Sequence, residues 1–263
     1  MEPPTYLANK YPHERDSHIH FDEGPHIYTI DGDSDYMSVT RWNHSHFPHF
    51  NADKIIGNMM KSKKWPESPY FGMKPSQIKA QWKENGRKAS TAGTKMHYDI
   101  ECFYNDMDIE IEEDCVEFDY FLRFEQDYGE KLTPYRTEWM VWDKDLRLAG
   151  SIDMIFENED GSLVIYDWKR CKEIKKENRF ESAKTECIKH LPNSNYWHYS
   201  LQLNTYKYLI EKNYGKKVKG MYLVCLHPNN RNKSYQRIKV PNLQKEVKKL
   251  MEVRKGMLPK EDY

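Results

Sequence analysis

Residues 150–170 read GSIDMIFENEDGSLVIYDWKR, and this stretch decides the fold. Two apolar runs, LRLAGSIDMIF (146–156) and SLVIYDWK (162–169), flank a turn at Asn158-Glu159-Asp160-Gly161. Strand-length runs bounded by Asn, Asp and Gly form a hairpin. The first run carries Asp153 and the second ends in Asp167-Trp168-Lys169. Side chains alternate along a strand, so Asp167 and Lys169 face one way and Trp168 the other. Both acids fall where a strand is half buried. An unpaired buried carboxylate costs roughly several kcal/mol, so such acids tend to hold something positive. Carboxylates bind hard cations such as Mg²⁺. Such an ion lowers the pKa of a bound water and neutralises charge on a phosphate in flight. A lysine two residues on can orient that water or stabilise the transition state. The competing reading of Asp-x-Lys is a solvated strand end.

Working outward, strands are expected at about 134–142, 147–157 and 162–169. Three consecutive strands leave no room for a crossover helix, so they make an antiparallel meander. A helix over 198–213 lets a strand at 218–226 add in parallel. A further strand at 235–240 and a helix at 242–256 close the chain. Upstream, Cys115–Tyr128 is an amphipathic helix with Val116, Tyr120, Phe121 and Phe124 inward. Helices are expected over 75–85 and 87–104, and one from Asn51, as N-cap, to about Lys63. Residues 1–25 read as an extended arm. His26–Ile30 and Tyr36–Thr40 read as a hairpin across DGDSD (31–35). That loop opens like a calcium loop, but it lacks the sixth-position Gly and twelfth-position Glu, so it is a turn. The division expected is an extension over 1–74 and a core over 75–263.

Composition bounds the function. The 263 residues suffice for a full core. Charged residues make up 31%, and no apolar run approaches twenty residues, so a soluble protein without membrane spans is expected. MEPPTYLANKYPHERD is no signal peptide. Five scattered cysteines without zinc-ribbon spacing suit reduced thiols inside a cell. Net charge is zero, yet residues 1–166 hold 18 Lys+Arg against 31 Asp+Glu, and residues 167–263 hold 23 against 10. A basic last third suits a phosphate-backbone track, with Arg170, Lys172, Lys175 and Lys176 as candidates. Ordinary solvated helix faces are the alternative. The acidic loop 105–114 reads as a surface linker. His44, His46 and His49 lack the i,i+4 spacing of a helical metal pair and read as a polar, aromatic surface.

Two further motifs complete the pattern: ASTAGTKMHYDIE (89–101), with His97 and Glu101 on one helix face, and YSLQLNTY (199–206), with Gln202 and Tyr206. The order GTxxH, GxxD, DxK, QxxxY resembles the RecB-like branch of the PD-(D/E)XK nuclease superfamily over roughly residues 85–225. That branch includes nuclease domains of bacterial recombination helicases and a mitochondrial single-strand exonuclease. NYWHYSLQLNTYKYLIE (195–211) looks most like the stand-alone nucleases of large DNA viruses. Asp153 is preceded by Ile152 rather than Pro, as is common in this branch.

The resemblance implies an α/β (α+β) restriction-endonuclease-like core, a mixed sheet flanked by helices with an N-terminal helical and hairpin extension. It implies Mg²⁺ or Mn²⁺, one or two ions, held by His97, Asp153, Asp167 and the Trp168 carbonyl. It casts Lys169 as the catalytic lysine and sets Gln202 and Tyr206 on a helix over the site as catalytic residues that contact the lysine or the scissile strand. Glu101 reads either as support for His97 or Lys169, or as a surface partner of Lys95 or Arg123. Glu138, on the preceding strand, is a further candidate. Tyr199, with Tyr196 and Trp197, reads either as a base-stacking surface or as helix packing. No cysteine quartet suggests an iron–sulfur cluster. The expected activity is cleavage of single-stranded or end-bearing DNA, in the host cytoplasm or nucleus if the chain is viral. An RNA endonuclease and a non-catalytic nucleic-acid-binding factor are the rivals. Oligomeric state is left open.

Overall fold

A computed structural model describes residues 4–259. The expected meander is present. Strand β4 (Thr133–Asp143) pairs antiparallel with β5 (Leu148–Glu157), and β5 pairs antiparallel with β6 (Leu163–Lys169). After helix α6 (Asn195–Asn213), β7 (Val218–Cys225) joins β6 in parallel, and β8 (Gln236–Lys239) closes that edge antiparallel. The remaining strand, β3 (Met37–Ser38), lies parallel to β5 at Leu148–Ala149.

Helices cover both faces of this sheet. Helix α4 (Pro75–Tyr104) and α5 (Val116–Tyr128) bury Met96, Ile100, Phe121 and Phe124 against Met154, Phe156 and Trp168. On the other face α2 (Val39–Ser45), α6 and α7 (Gln244–Met257) enclose Trp42, Trp139, Ile152, Leu201, Leu209 and Leu250. The apolar runs of β5 and β6 follow from this, since a strand covered on both faces has no solvent side to keep polar. Tyr120, Phe121 and Phe124 point inward as expected, whereas Val116 at the helix start is only half buried.

The structure departs from expectation in three ways, two of them in the N-terminal segment. Residues 6–22 are not an extended arm: they form α1 (Tyr6–Lys10), a 3-10 turn (Glu14–His18) and β1 (Ile19–Asp22); residues 1–3 of the expected arm lie outside the described residues. Asp16 explains the order there, because its carboxylate takes Arg136 Nη1 at 2.7 Å and Trp139 Nε1 at 2.9 Å. The hairpin joins β1 to β2 (Ile27–Ile30), not 26–30 to 36–40. The second half of the expected hairpin became β3 and α2, drawn to β5 because Val39 and Trp42 are buried there. Helix α3 (Ala52–Met60) has Asn51 as its cap, with Lys54 N donating to its side chain at 2.9 Å.

The third departure is α4, one helix of 30 residues rather than two. Asn85-Gly86 does not break it. Arg87 and Lys88 both reach back to Glu84 across that point, and a helical Gly costs only about 1 kcal/mol relative to Ala. Nothing lies within 4 Å of a Cβ built on Gly86. Gly86→Ala is therefore expected to raise the stability of the protein by about 0.5–1 kcal/mol, read as a higher urea midpoint at unchanged slope. A lower midpoint would mean that the helix is not continuous there.

A candidate metal centre where two strands part

Pairing between β5 and β6 runs only from Glu157↔Leu163 to Met154↔Tyr166. Beyond it the strands separate, and the carboxylate of Asp153 takes the amide hydrogen of Trp168 at 2.9 Å. A side chain thus satisfies a strand donor that the neighbouring strand no longer reaches. The gap is where the candidate residues meet.

The alternation of β4 and β5 changes sides at this level. Met154 and Phe156 pack under α4 and α5, whereas Ile152 joins Trp139 in the opposite core. Thr137 pairs with Met154 and Trp139 with Ile152, which sets Glu138 level with Asp153. Glu138 carries φ of 40°, a conformation that costs a non-glycine residue roughly 1–3 kcal/mol and often marks a functional position. Ser151 holds it, donating to Glu138 Oε2 at 2.7 Å.

From α4, His97 reaches into the same gap. Its Nδ1 lies 3.6 Å from Asp153 Oδ2 and 3.8 Å from Glu138 Oε1. One ligand atom each from His97, Glu138 and Asp153 falls within 4.8 Å of the others, room for one small cation. Asp167 and Lys169 share a face as expected, with Lys169 Nζ 2.5 Å from Asp167 Oδ2. The contact is an ion pair, but Oδ2 receives no aligned hydrogen bond and is fully buried. Lys169 is thus the cation that balances Asp167, and the unbalanced acidity of the gap falls on Asp153 and Glu138 beside His97. Hard oxygen donors with one imidazole suit Mg²⁺ or Mn²⁺.

The electrostatics agree. Burial, and then the charge of Asp167, push Asp153 up to about 7. Burial works to lower His97, yet the Asp153 and Glu138 carboxylates outweigh it and push it up to about 9. Burial works to raise Glu138, but contact with His97 holds it below the usual carboxylate range. Lys169 stays charged, because Asp167 and Asp153 overcome the cost of burying it. Glu101, one turn beyond His97, is pushed up to about 8 by burial and then by Glu138. Its alternative surface partners are engaged elsewhere: Lys95 with Asp99 at 2.8 Å, and Arg123 with the Lys233 carbonyl at 2.7 Å.

On the other side of the sheet α6 leans over the gap. Lys169 Nζ stands 4.7 Å from the centre of the Tyr199 ring. Gln202 Nε2 lies 3.4 Å from the Tyr206 hydroxyl and donates to Thr40 Oγ1 at 3.3 Å. Tyr206 is buried against β5, and a Cβ on Gly150 would stand 2.9 Å from its ring. Gly150 is thus the residue that lets α6 approach. The expected cation track is less uniform. Arg170 is half buried and donates to Glu117 at 2.6 Å. Lys175 lies 3.5 Å from Glu173, Lys176 sits over the Tyr196 ring at 4.8 Å, and Lys172 is exposed. The sequence motifs include Glu138 as a candidate and Gly150 within GxxD, but they assign no role to Ser151 or Thr40 and none to Gly150 in packing against Tyr206. Gly150 and Ser151 lie inside the quoted stretch, and small residues beside an acidic strand position were their signal.

The sequence profile of the PD-(D/E)XK nuclease superfamily matches residues 73–260, and the chain belongs to that superfamily. It is a nuclease by family, its substrate is a nucleic acid, and divalent metals serve the chemistry of its relatives. No curated protein matches the chain. Among solved structures, SSO0001 aligns with a TM-score of 0.33 and 12% identity, over 92% of this chain and 80% of its own. A candidate exonuclease from Eubacterium rectale aligns with a TM-score of 0.38 and 14% identity, over 86% of this chain and 83% of its own. Among the described residues no helix is long and apolar enough to cross a membrane.

Proposed function

We propose that the protein is a Mg²⁺- or Mn²⁺-dependent nuclease of the RecB-like kind that hydrolyses phosphodiester bonds in single-stranded or end-bearing DNA. The observation that carries this reading is the meeting of His97, Glu138 and Asp153 where β5 and β6 part, with the Asp167–Lys169 ion pair on the adjoining strand β6. Asp153 and Asp167 are the principal ligands, His97 and the Trp168 carbonyl complete the shell, and Glu138 is a further ligand or the partner of His97. A bound divalent ion supplies Lewis acidity and a water of lowered pKa. Lys169 keeps its proton and faces the phosphate, where it orients the attacking water and meets the charge of the transition state. Gln202 and Tyr206 hold the α6 side of the site in place. Lys172, Lys175, Lys176, Arg170 and Tyr199 guide the strand. We read residues 75–263 as the nuclease core and 1–74 as an extension that completes it. The motif order resembles that of the RecB-like branch, residues 195–211 look most like stand-alone nucleases of large DNA viruses, and the free thiols suit work inside a host cell.

The experiment is a substrate panel: end-labelled single-stranded DNA, duplex DNA, circular single-stranded DNA and RNA, each with Mg²⁺, Mn²⁺ or EDTA. Metal-dependent shortening of linear single strands is the expected result. Cleavage of RNA alone would move the assignment to the RNA endonucleases. No cleavage of any polymer would leave a binding factor on a nuclease fold.

A further inference from the structure

We propose that a cleft beside the metal centre stacks the bases of single-stranded DNA between Phe50 and Phe180. The inference deepens the proposed function and rests on it. The cleft measures about 870 Å³, and its walls are the segment joining α2 to α3 and the loop after β6. Both rings stand in water: Phe50 is 73% exposed and Phe180 is 96% exposed. Single exposed apolar residues are ordinary. Two phenyl rings lining one cleft, each on a pinned loop, are not.

The pinning is specific. Asn178 Oδ1 accepts from Phe180 N at 3.0 Å and from Glu181 N at 3.2 Å, a turn that turns the Phe180 side chain out. Asn178 Nδ2 ties this turn to the Asn193 carbonyl at 2.7 Å. Across the cleft, Asn193 Nδ2 donates to the Pro48 carbonyl at 3.4 Å, Lys184 N donates to the His46 carbonyl at 2.7 Å, and His46 Nδ1 meets Thr185 Oγ1 at 2.8 Å. The two walls therefore hold each other, and ordering them adds little cost when a ligand binds.

The occupant follows from position and chemistry. His198 in the cleft lies 5.2 Å from His44, ring to ring, and its neighbour on α6 is Tyr199, whose ring faces Lys169 Nζ. The cleft and the metal centre therefore share α6 as a common wall. Thr40, one turn before His44 on α2, touches Gln202 and closes that border. Its only carboxylate among the lining residues is Glu181, which Lys54 faces at 4.0 Å. Aromatic faces with little net negative charge suit the flat faces of bases, whatever their identity. A duplex hides those faces, so the cleft selects single strands.

The test uses the whole chain in EDTA, which prevents turnover. Fluorescence anisotropy compares a labelled oligothymidylate with an abasic strand of equal length. Wild type should prefer the base-bearing strand. Phe50→Ala and Phe180→Ala should each weaken its binding by about 5- to 150-fold, with little change for the abasic strand. The double variant should lose the preference, and Phe50→Trp with Phe180→Tyr should restore it. A double variant that keeps the wild-type preference would overturn the cleft, while wild-type cleavage of DNA would leave the nuclease reading standing. Equal weakening for abasic and base-bearing strands would also overturn base stacking. A wild type that binds neither strand and cuts nothing would overturn both readings together.

Discussion

Asp153→Asn and Asp167→Asn variants are expected to lose DNA cleavage by about a thousandfold or more. Each change removes a ligand and a charge together, and about 4 kcal/mol of lost transition-state stabilisation is enough for that factor. Asn at position 153 can still accept the Trp168 amide hydrogen, so the parting of the strands should persist. For Asp153→Asn, stability should move the other way. Burial raises Asp153 in the folded state to about 7, above its ordinary 3.8. A carboxyl raised in this way destabilises the fold as pH climbs from its unfolded value through about 7. Asp153→Asn has no such penalty, so in EDTA at pH 8 its melting temperature should equal or exceed that of wild type. Gel assays with end-labelled single-stranded DNA and a calorimetric melt measure both effects. Turnover within tenfold of wild type would remove Asp153 from the site.

Lys169→Met is expected to be equally inactive while still binding Mn²⁺. Lys169 touches Asp167 and faces Tyr199 but supplies no lone pair while protonated. Its loss leaves the buried Asp167 Oδ2, already without a hydrogen bond, with no counter-charge. Breaking a buried pair in this way costs about 3–5 kcal/mol. The metal-free variant should therefore melt well below wild type, and Mn²⁺ should recover more of the loss in the variant than it adds to wild type. Titration calorimetry reads the affinity, and melts with and without Mn²⁺ read the recovery. A loss of Mn²⁺ affinity as large as that of Asp153→Asn would show that the lysine acts through the ligands.

Much of this site was legible in the residues. Apolar runs in GSIDMIF and LVIYDWK, bounded by the turn at 158–161, marked the strands, and the period of two at the end of β6 placed Asp167 with Lys169. The helix of His97 was legible for the same kind of reason. What sequence could not carry was the divergence of β5 from β6, which depends on how two sheets of side chains pack from opposite faces. The positive φ of Glu138 arises there, and nothing local in TEWMVW announces it. The N-terminal errors have a similar source. Met37 and Ser38 read as half of a local hairpin, but burying Val39 and Trp42 against the distant β5 wins over a short-range turn. Phe50 and Phe180 lie 130 positions apart in loops, and hydrogen bonds made by Asn193, Lys184 and His46 across the cleft bring their segments together.

The place of β3 and α2 has a practical consequence for anyone expressing the protein. The match to the superfamily profile begins at residue 73, which invites a shortened clone starting there. Such a fragment would leave the backbone of Leu148 and Ala149 as a bare edge, with the hollow left by Val39 and Trp42 beside it. It would also lack Thr40, the hydroxyl on which Gln202 rests. Inclusion bodies or an inert product from that clone would report a missing wall, and would say nothing about the chemistry of the residues it retains.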